Sequence, residues 1–157
     1  MGMKKVIVSG LAIDKEREHP VVLLKYPDSE EDRVLPIWIG PAEASSIFAA
    51  LSGKSFSRPL THDLMKIIID ILEAGVKQAE ITGIQNDTYF ARLVLKRGED
   101  IFYIDARPSD SIALALRCGA SIYLDPDLFT RYSRKMTVPR DNGLGNINPD
   151  EFDDFDL

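Results

Sequence analysis

An α+β fold is what this 157-residue sequence predicts: two strand–strand–strand–helix halves packed into one mixed-sheet core and joined by a helix. Three observations carry that expectation. Apolar runs separated by turn residues come in two groups of three. Each group leads into a proline-initiated stretch of helical periodicity that closes at a glycine. The halves also share short likenesses. Trp38-Ile39 with Tyr103-Ile104, Ser46-Ile47 with Ser111-Ile112 and Ala50-Leu51 with Ala115-Leu116 fall at one spacing, and Val8-Ser9-Gly10-Leu11 resembles Ile81-Thr82-Gly83-Ile84 at a longer one. A longer loop in the first half absorbs the difference. Gly10 and Gly83, in mid-strand, mark a bulge or a close backbone approach.

The elements follow in order. Lys4 to Ile13 alternates like a strand with both faces at least partly buried, Val21 to Tyr26 is a second strand and Arg33 to Ile39 a third. Trp38 is expected in the core. Gly40-Pro41 opens a helix whose Ala44, Ile47, Phe48 and Leu51 form one apolar stripe, closed by Gly53. Thr61 is the expected N-cap of the joining helix, with Leu60 and Met65 as a hydrophobic staple and Gly75 as its end. Its apolar residues Leu64, Ile67, Ile68, Ile71 and Leu72 read as core or as an oligomer face. Residues 76–85, 88–97 and 101–106 are three more strands, joined by Asn86-Asp87 and Gly98-Glu99-Asp100. Arg107-Pro108 turns the last into a helix that ends at Gly119. Ser121 to Leu124 is a short strand, and Asp125-Pro126 starts a final helix reaching about Lys135.

Residues 1–140 are expected to form one domain, and 141–157 an acidic, disordered tail. The tail holds six acids and no Lys or Arg, so the net charge of −6 belongs to it and the body is neutral. A single cysteine, Cys118, excludes a disulfide framework and a cysteine-based zinc site. No uncharged stretch is long enough for a transmembrane helix, and the start lacks a signal-peptide cleavage site, so the cytoplasm is the expected compartment. Phosphate-binding glycine loops, H-E-x-x-H, G-x-S-x-G and EF-hand loops are absent, which weighs against NTPases, zinc proteases, serine hydrolases and calcium sensors.

Two polar segments ask for more than a core requires: Arg58-Pro59-Leu60-Thr61-His62-Asp63 and Asp105-Ala106-Arg107-Pro108-Ser109-Asp110-Ser111. Each lies where the chain enters a helix, whose free N–H groups and positive dipole favour phosphate. Arg58 and Arg107 can add bidentate phosphate contacts. Asp105 and Asp110 can converge on a divalent cation, and His62 can move a proton. A structural reading stands beside each role. Asp63 and Asp110 complement a helix dipole, Glu43 fits an N3 capping position, Arg107 pairs with Asp105 or Asp110 as scaffolding, and His62 is a satisfied polar group at a helix start. Cys118, near a helix C-terminus, sits in the wrong field for a nucleophile.

With these segments the sequence resembles the bifunctional nuclease family. The resemblance is carried by Leu35-Pro36-Ile37-Trp38-Ile39-Gly40 with Glu43-Ala44, by Arg58-Pro59-Leu60-Thr61-His62-Asp63-Leu64, and by Asp105-Ala106-Arg107-Pro108-Ser109-Asp110-Ser111-Ile112-Ala113-Leu114-Ala115. It spans roughly residues 4–130. Ser111 departs from it, standing where many relatives carry Ala. The resemblance implies cleavage of RNA and DNA by a homodimer or higher homo-oligomer, without fixing a mechanism. On chemical grounds Asp105 and Asp110 are the expected ligands of Mg²⁺ or Mn²⁺ with Glu43 as a third carboxylate, Arg58 and Arg107 the phosphate contacts, and His62 with Asp63 the proton-transfer pair. The alternative is a non-enzymatic ligand- or partner-binding module whose polar motifs form an anion pocket or hold helix ends in register. The neutral body argues for few net phosphate contacts, and no RNA-binding signature with stacking aromatics is visible.

Overall fold

The structure, a computed structural model, describes residues 2–135. The expected acidic tail and the last residues of the expected domain lie outside them. Three strands, β1 (Lys4–Asp14), β2 (His19–Lys25) and β3 (Arg33–Trp38), lead into α1 (Pro41–Ser52). After α2 (Thr61–Ile71) come β4 (Gly75–Gln85), β5 (Thr88–Arg97) and β6 (Asp100–Ala106), then α3 (Pro108–Cys118). The chain continues through β7 (Ser121–Leu124), α4 (Pro126–Tyr132) and β8 (Arg134–Lys135). All strands join one mixed sheet in the order β6-β5-β4-β7-β1-β2-β3-β8.

The two halves are two antiparallel meanders that open outward from a shared centre. There β7 runs antiparallel to β1 and parallel to β4. The ladder slips between Val8 and Gly10 in β1 and between Ile81 and Gly83 in β4. Both mid-strand glycines therefore sit at bulges. The first half has the longer loops, at 15–18 and 26–32 against 86–87 and 98–99 in the second. The helix N-caps, Gly40 and Arg107, do not fall at the spacing of the Ser46–Ser111 match, so that likeness is out of structural frame.

Alternation in the strands divides the sheet into two faces. Val22, Leu24, Leu35 and Ile37 on β2 and β3, and Ala79, Ile81, Ala91 and Leu93 on β4 and β5, pack with Ile47, Ile112, Leu114 and Leu124 into the main core. Each such Leu or Ile withdrawn from water contributes roughly 1.5–3 kcal/mol. Helix α3 is the most enclosed, with Ser111 through Ala115 fully buried. On the other face Val21, Leu23 and Val34 form a smaller cluster packed with Ala12 and Trp38. Trp38 is only half-buried, because its indole N–H reaches Asp14 Oδ2 at 2.8 Å.

Four expectations are corrected. The joining helix is capped by Leu60, with Thr61 its first residue, so the Leu60–Met65 staple is out of frame. Gly75 does not end it: the helix stops at Ile71, Glu73 takes a φ of 56° to reverse the chain, and Gly75 already belongs to β4. Its apolar stripe is not core. Met65 and Ile69 pack inward, while Leu64, Ile67, Ile68, Ile71 and Leu72 are exposed. The final helix ends at Tyr132, because Arg134–Lys135 pairs with Arg33 and Val34 of β3. Among the described residues no helix is long and apolar enough to cross a membrane.

Candidate functional site

The polar chemistry collects where α1, α2 and α3 meet. Arg107 and Pro108 set the entry to α3: Arg107 is the extended N-cap and Pro108 needs no hydrogen-bond partner for its nitrogen. That places Asp110 in the first turn, facing two neighbours. Its Oδ1 lies 2.9 Å from His62 Nε2 and its Oδ2 accepts from Arg107 Nε at 2.9 Å. His62 is buried in α2, and its Nδ1 is 2.6 Å from Ser46 Oγ of α1. An ionised carboxylate only accepts, so Nε2 carries a proton and donates it to Asp110. Arg107 reaches across to α1 as well, with Nη2 2.9 Å from Glu43 Oε1. The Glu43 side chain folds back over its own N-cap, where a Cβ on Gly40 would collide with its carboxylate.

Burial pushes the Asp110 carboxyl up, but hydrogen bonds from Arg107 and His62 outweigh it and hold the group below its usual range. The same hydrogen bond and charge raise Arg107 further. Exposure differs sharply along the chain of contacts. The Arg107 side chain is 66% exposed and that of Asp110 26%, whereas His62 behind them is closed off from water. Arg107 is therefore the group of this network that a ligand meets first.

A second network lies on the inner side. Arg117, in the last turn of α3, donates from Nε to Asp63 Oδ1 at 2.6 Å, from Nη1 to the Ala113 carbonyl and from Nη2 to the Ser46 carbonyl. Asp63 Oδ2 in turn accepts from the Leu60 amide at 2.9 Å, which satisfies the start of α2. The Arg117 hydrogen bond, with help from that amide, holds Asp63 low.

Of the expected residues, Glu43, His62, Arg107 and Asp110 come together and Asp63 lies in the adjoining network. His62 is paired with Asp110 and Ser46, not with Asp63. Asp105 does not join Asp110. It lies on the edge strand β6, exposed, in register with Arg92. Arg58 is exposed on the loop before α2 and makes no bond to the cluster. The expected trio Asp105, Asp110 and Glu43 is thus not assembled, and no group of three metal-ligating side chains occurs among the described residues. Two members were missed by sequence reasoning, Ser46 and Arg117. Ser46 had a weak signal in the repeat, and Arg117 had none beyond a basic residue in a last helical turn. Among the described residues Ser111 Oγ is buried with no hydrogen-bond partner. Burial pushes the Cys118 thiol up, which agrees with an inert cysteine.

Comparison with known proteins gives this geometry its context. The family model described as the bifunctional nuclease domain matches residues 22–137. An uncharacterised protein of Mycobacterium tuberculosis (strain CDC 1551 / Oshkosh) is 40% identical over 123 residues, covering 78% of this chain and 72% of its own. Proteins named bifunctional nuclease 1 from Arabidopsis thaliana and from Oryza sativa subsp. indica are 28% and 27% identical. Those alignments cover 76% and 77% of this chain and 37% of each plant protein. The matched span contains Glu43, His62, Arg107 and Asp110 together, and the chain belongs to the bifunctional nuclease domain family.

Proposed function

We propose that this domain is a nuclease that cleaves phosphodiester bonds of RNA or DNA. Arg107 is the phosphate contact, and Glu43 and Asp110 are the carboxylates that attract a divalent cation, Mg²⁺ or Mn²⁺. One observation carries the reading. A well-exposed guanidinium stands at a helix N-terminus between carboxylates from two helices, and one of these is fixed from behind by a buried histidine. The two acids outnumber the single guanidinium, so the patch alone does not welcome a phosphodiester. Glu43 and Asp110 would hold a divalent cation whose charge would offset theirs, and Arg107 would then be left to meet phosphate. When bound, such an ion supplies an activated water. His62 does not touch substrate here. It is a positioning residue that, with Ser46, holds Asp110 in place.

The test is cleavage of single-stranded RNA and DNA by the purified protein with Mg²⁺, with Mn²⁺ and with chelator, beside Asp110→Asn purified identically. Metal-dependent cleavage is expected, falling at least ~10²-fold in the variant, the scale of losing one preorganised charged contact. No cleavage, or equal cleavage by both proteins, overturns the reading and leaves the binding-module alternative.

A homodimer belongs to the same proposal. The outer face of α2 is apolar, with Ile71 73% exposed. A two-fold between Ile67 and Ile68 would set Leu64 against the partner copy's stripe and bring Lys66 of each copy to the acidic Asp70 end of the other. Sedimentation of the intact protein checks it: a monomer at micromolar concentration excludes this pairing.

A further inference from the structure

We propose that the helix-free face of the sheet, at its β5–β6 end, is a platform for single-stranded nucleic acid. The identity of the occupant rests on the nuclease reading; the surface itself does not. In an antiparallel pair, residues in register share a face. Ala91 and Leu93 of β5 belong to the main core beneath the helices. Phe90, Arg92, Val94 and Lys96 therefore point the other way, together with their β6 neighbours Ile101, Tyr103 and Asp105. Among the described residues no helix packs on this face, and all of these side chains but the buried Val94 are exposed. Tyr103 is 63% exposed and Phe90 is exposed as well.

The face combines ring surfaces with an ion-paired arginine and, at one end, two lysines. The Arg92 guanidinium lies 4.8 Å from the centre of the Tyr103 ring and is held there by the buried Glu80 carboxylate. Glu80 is held in turn by Gln78. At the far end of β5, Lys77 and Lys96 line a cavity of about 370 Å³ with Gly75, Val76 and Gly98. At the near end Ala91 pairs with Ala106, and Arg107 follows, its guanidinium turned to Glu43 and Asp110 of the helices. From Lys96 to Phe90 the strand rises roughly 20 Å. Exposed aromatic rings with basic side chains close by are what an unpaired strand requires, since its bases offer open faces for stacking and a duplex hides them. Among the described residues of this stretch, Asp105 is the acid that no basic side chain engages.

The first half of the molecule shows that the exposure is specific to this end. Leu23 stands opposite the bulge glycine Gly10 as Phe90 stands opposite Gly83. Leu23 is buried beside Val34, Ala12 and Trp38. The Trp38 ring itself is covered by Arg17 and Arg134, at 5.1 and 5.4 Å from its centre. Among the described residues nothing equivalent covers Phe90.

The test is fluorescence anisotropy of the whole chain with a labelled single-stranded oligonucleotide, in chelator so that binding is read apart from cleavage. Tyr103→Ala and Phe90→Ala are each expected to weaken single-strand binding about tenfold, the scale of one lost base–aromatic stack. Tyr103→Phe should keep the affinity, and binding to a duplex of equal length should not change. Unchanged single-strand affinity in both alanine variants overturns the platform. So does a Tyr103→Ala protein that changes sedimentation but not affinity, which would make β6 a contact between copies. The two proposals separate cleanly. Cleavage lost in Asp110→Asn beside unaltered binding in the alanine variants removes the platform alone. Binding lost in Tyr103→Ala by a protein that never cleaves keeps the platform and removes the nuclease.

Discussion

Two arginines at opposite ends of α3 bond a carboxylate through Nε, yet they do different things. Arg117 bonds Asp63 and spends its other nitrogens on the carbonyls of Ala113 and Ser46, with only 8% of its side chain exposed. Its donors are matched by fixed backbone acceptors from its own helix and from α1. Arg107 bonds Asp110 and then a second carboxylate, Glu43, and stays largely in water. Its partners are side chains, and they form one negative patch around one exposed cation. The comparison teaches that the bond does not decide the role. What decides it is whether the remaining donors end on backbone, which locks three helices together, or on exchangeable carboxylates at a surface.

Exchanging each arginine for alanine can break this contrast. Arg107→Ala is expected to lower cleavage at least tenfold through loss of the phosphate contact and to move stability by less than ~1 kcal/mol, as for exposed ion pairs. Arg117→Ala is expected to do the reverse. It removes the guanidinium donor from Asp63, which keeps the Leu60 amide, and from two carbonyls that keep their helical amides, and it costs about 2 kcal/mol in denaturant unfolding. That is less than the ~3–5 kcal/mol of a fully enclosed pair, because Asp63 still meets water. If Arg107→Ala unfolds the protein and Arg117→Ala leaves it stable, the assignment of surface and scaffold is inverted.

How much of this was legible in the sequence depended on locality. Helix ends closed by a left-handed glycine were readable, since Gly53 and Gly119 take φ of 66° and 62° at their C-caps. Gly75 misled because Glu73 took the positive φ instead. The stripe on α2 was readable as amphipathic, but periodicity does not say what covers a face, and here none of the described residues does. Arg107, Asp110 and His62 stood out because they crowd helix starts, where polar residues serve either caps or ligands. Asp105 looked equivalent, yet strand alternation turns it to the open face with Tyr103 while Ala106 packs against the core. Ser46 and Arg117 lie inside helices, and only the packing of α1 against α3 brings them to the site. The open aromatic face was missed for a related reason. Phe90 and Tyr103 read as ordinary strand residues until the sheet order put β6 at an edge.

Acid sharpens the comparison further, though by a smaller amount. Asp63 is held below its usual range chiefly by the Arg117 hydrogen bond. Asp110 is held low by Arg107 and His62 against the opposing effect of burial. A carboxyl depressed in the folded state contributes stability that is fully present above its unfolded pKa, about 3.9, and is lost as pH falls through the folded value. Unfolding free energy should therefore stay level through neutral pH and decline below about pH 4. In Arg117→Ala the main cause of the Asp63 depression is gone, so that protein should lose less stability between pH 4 and pH 2 than the unaltered chain does. Urea titrations at a series of pH values measure it. Parallel acid limbs in the two proteins would show that Asp63 draws its low pKa from elsewhere, and would take from Arg117 the electrostatic half of its scaffold role.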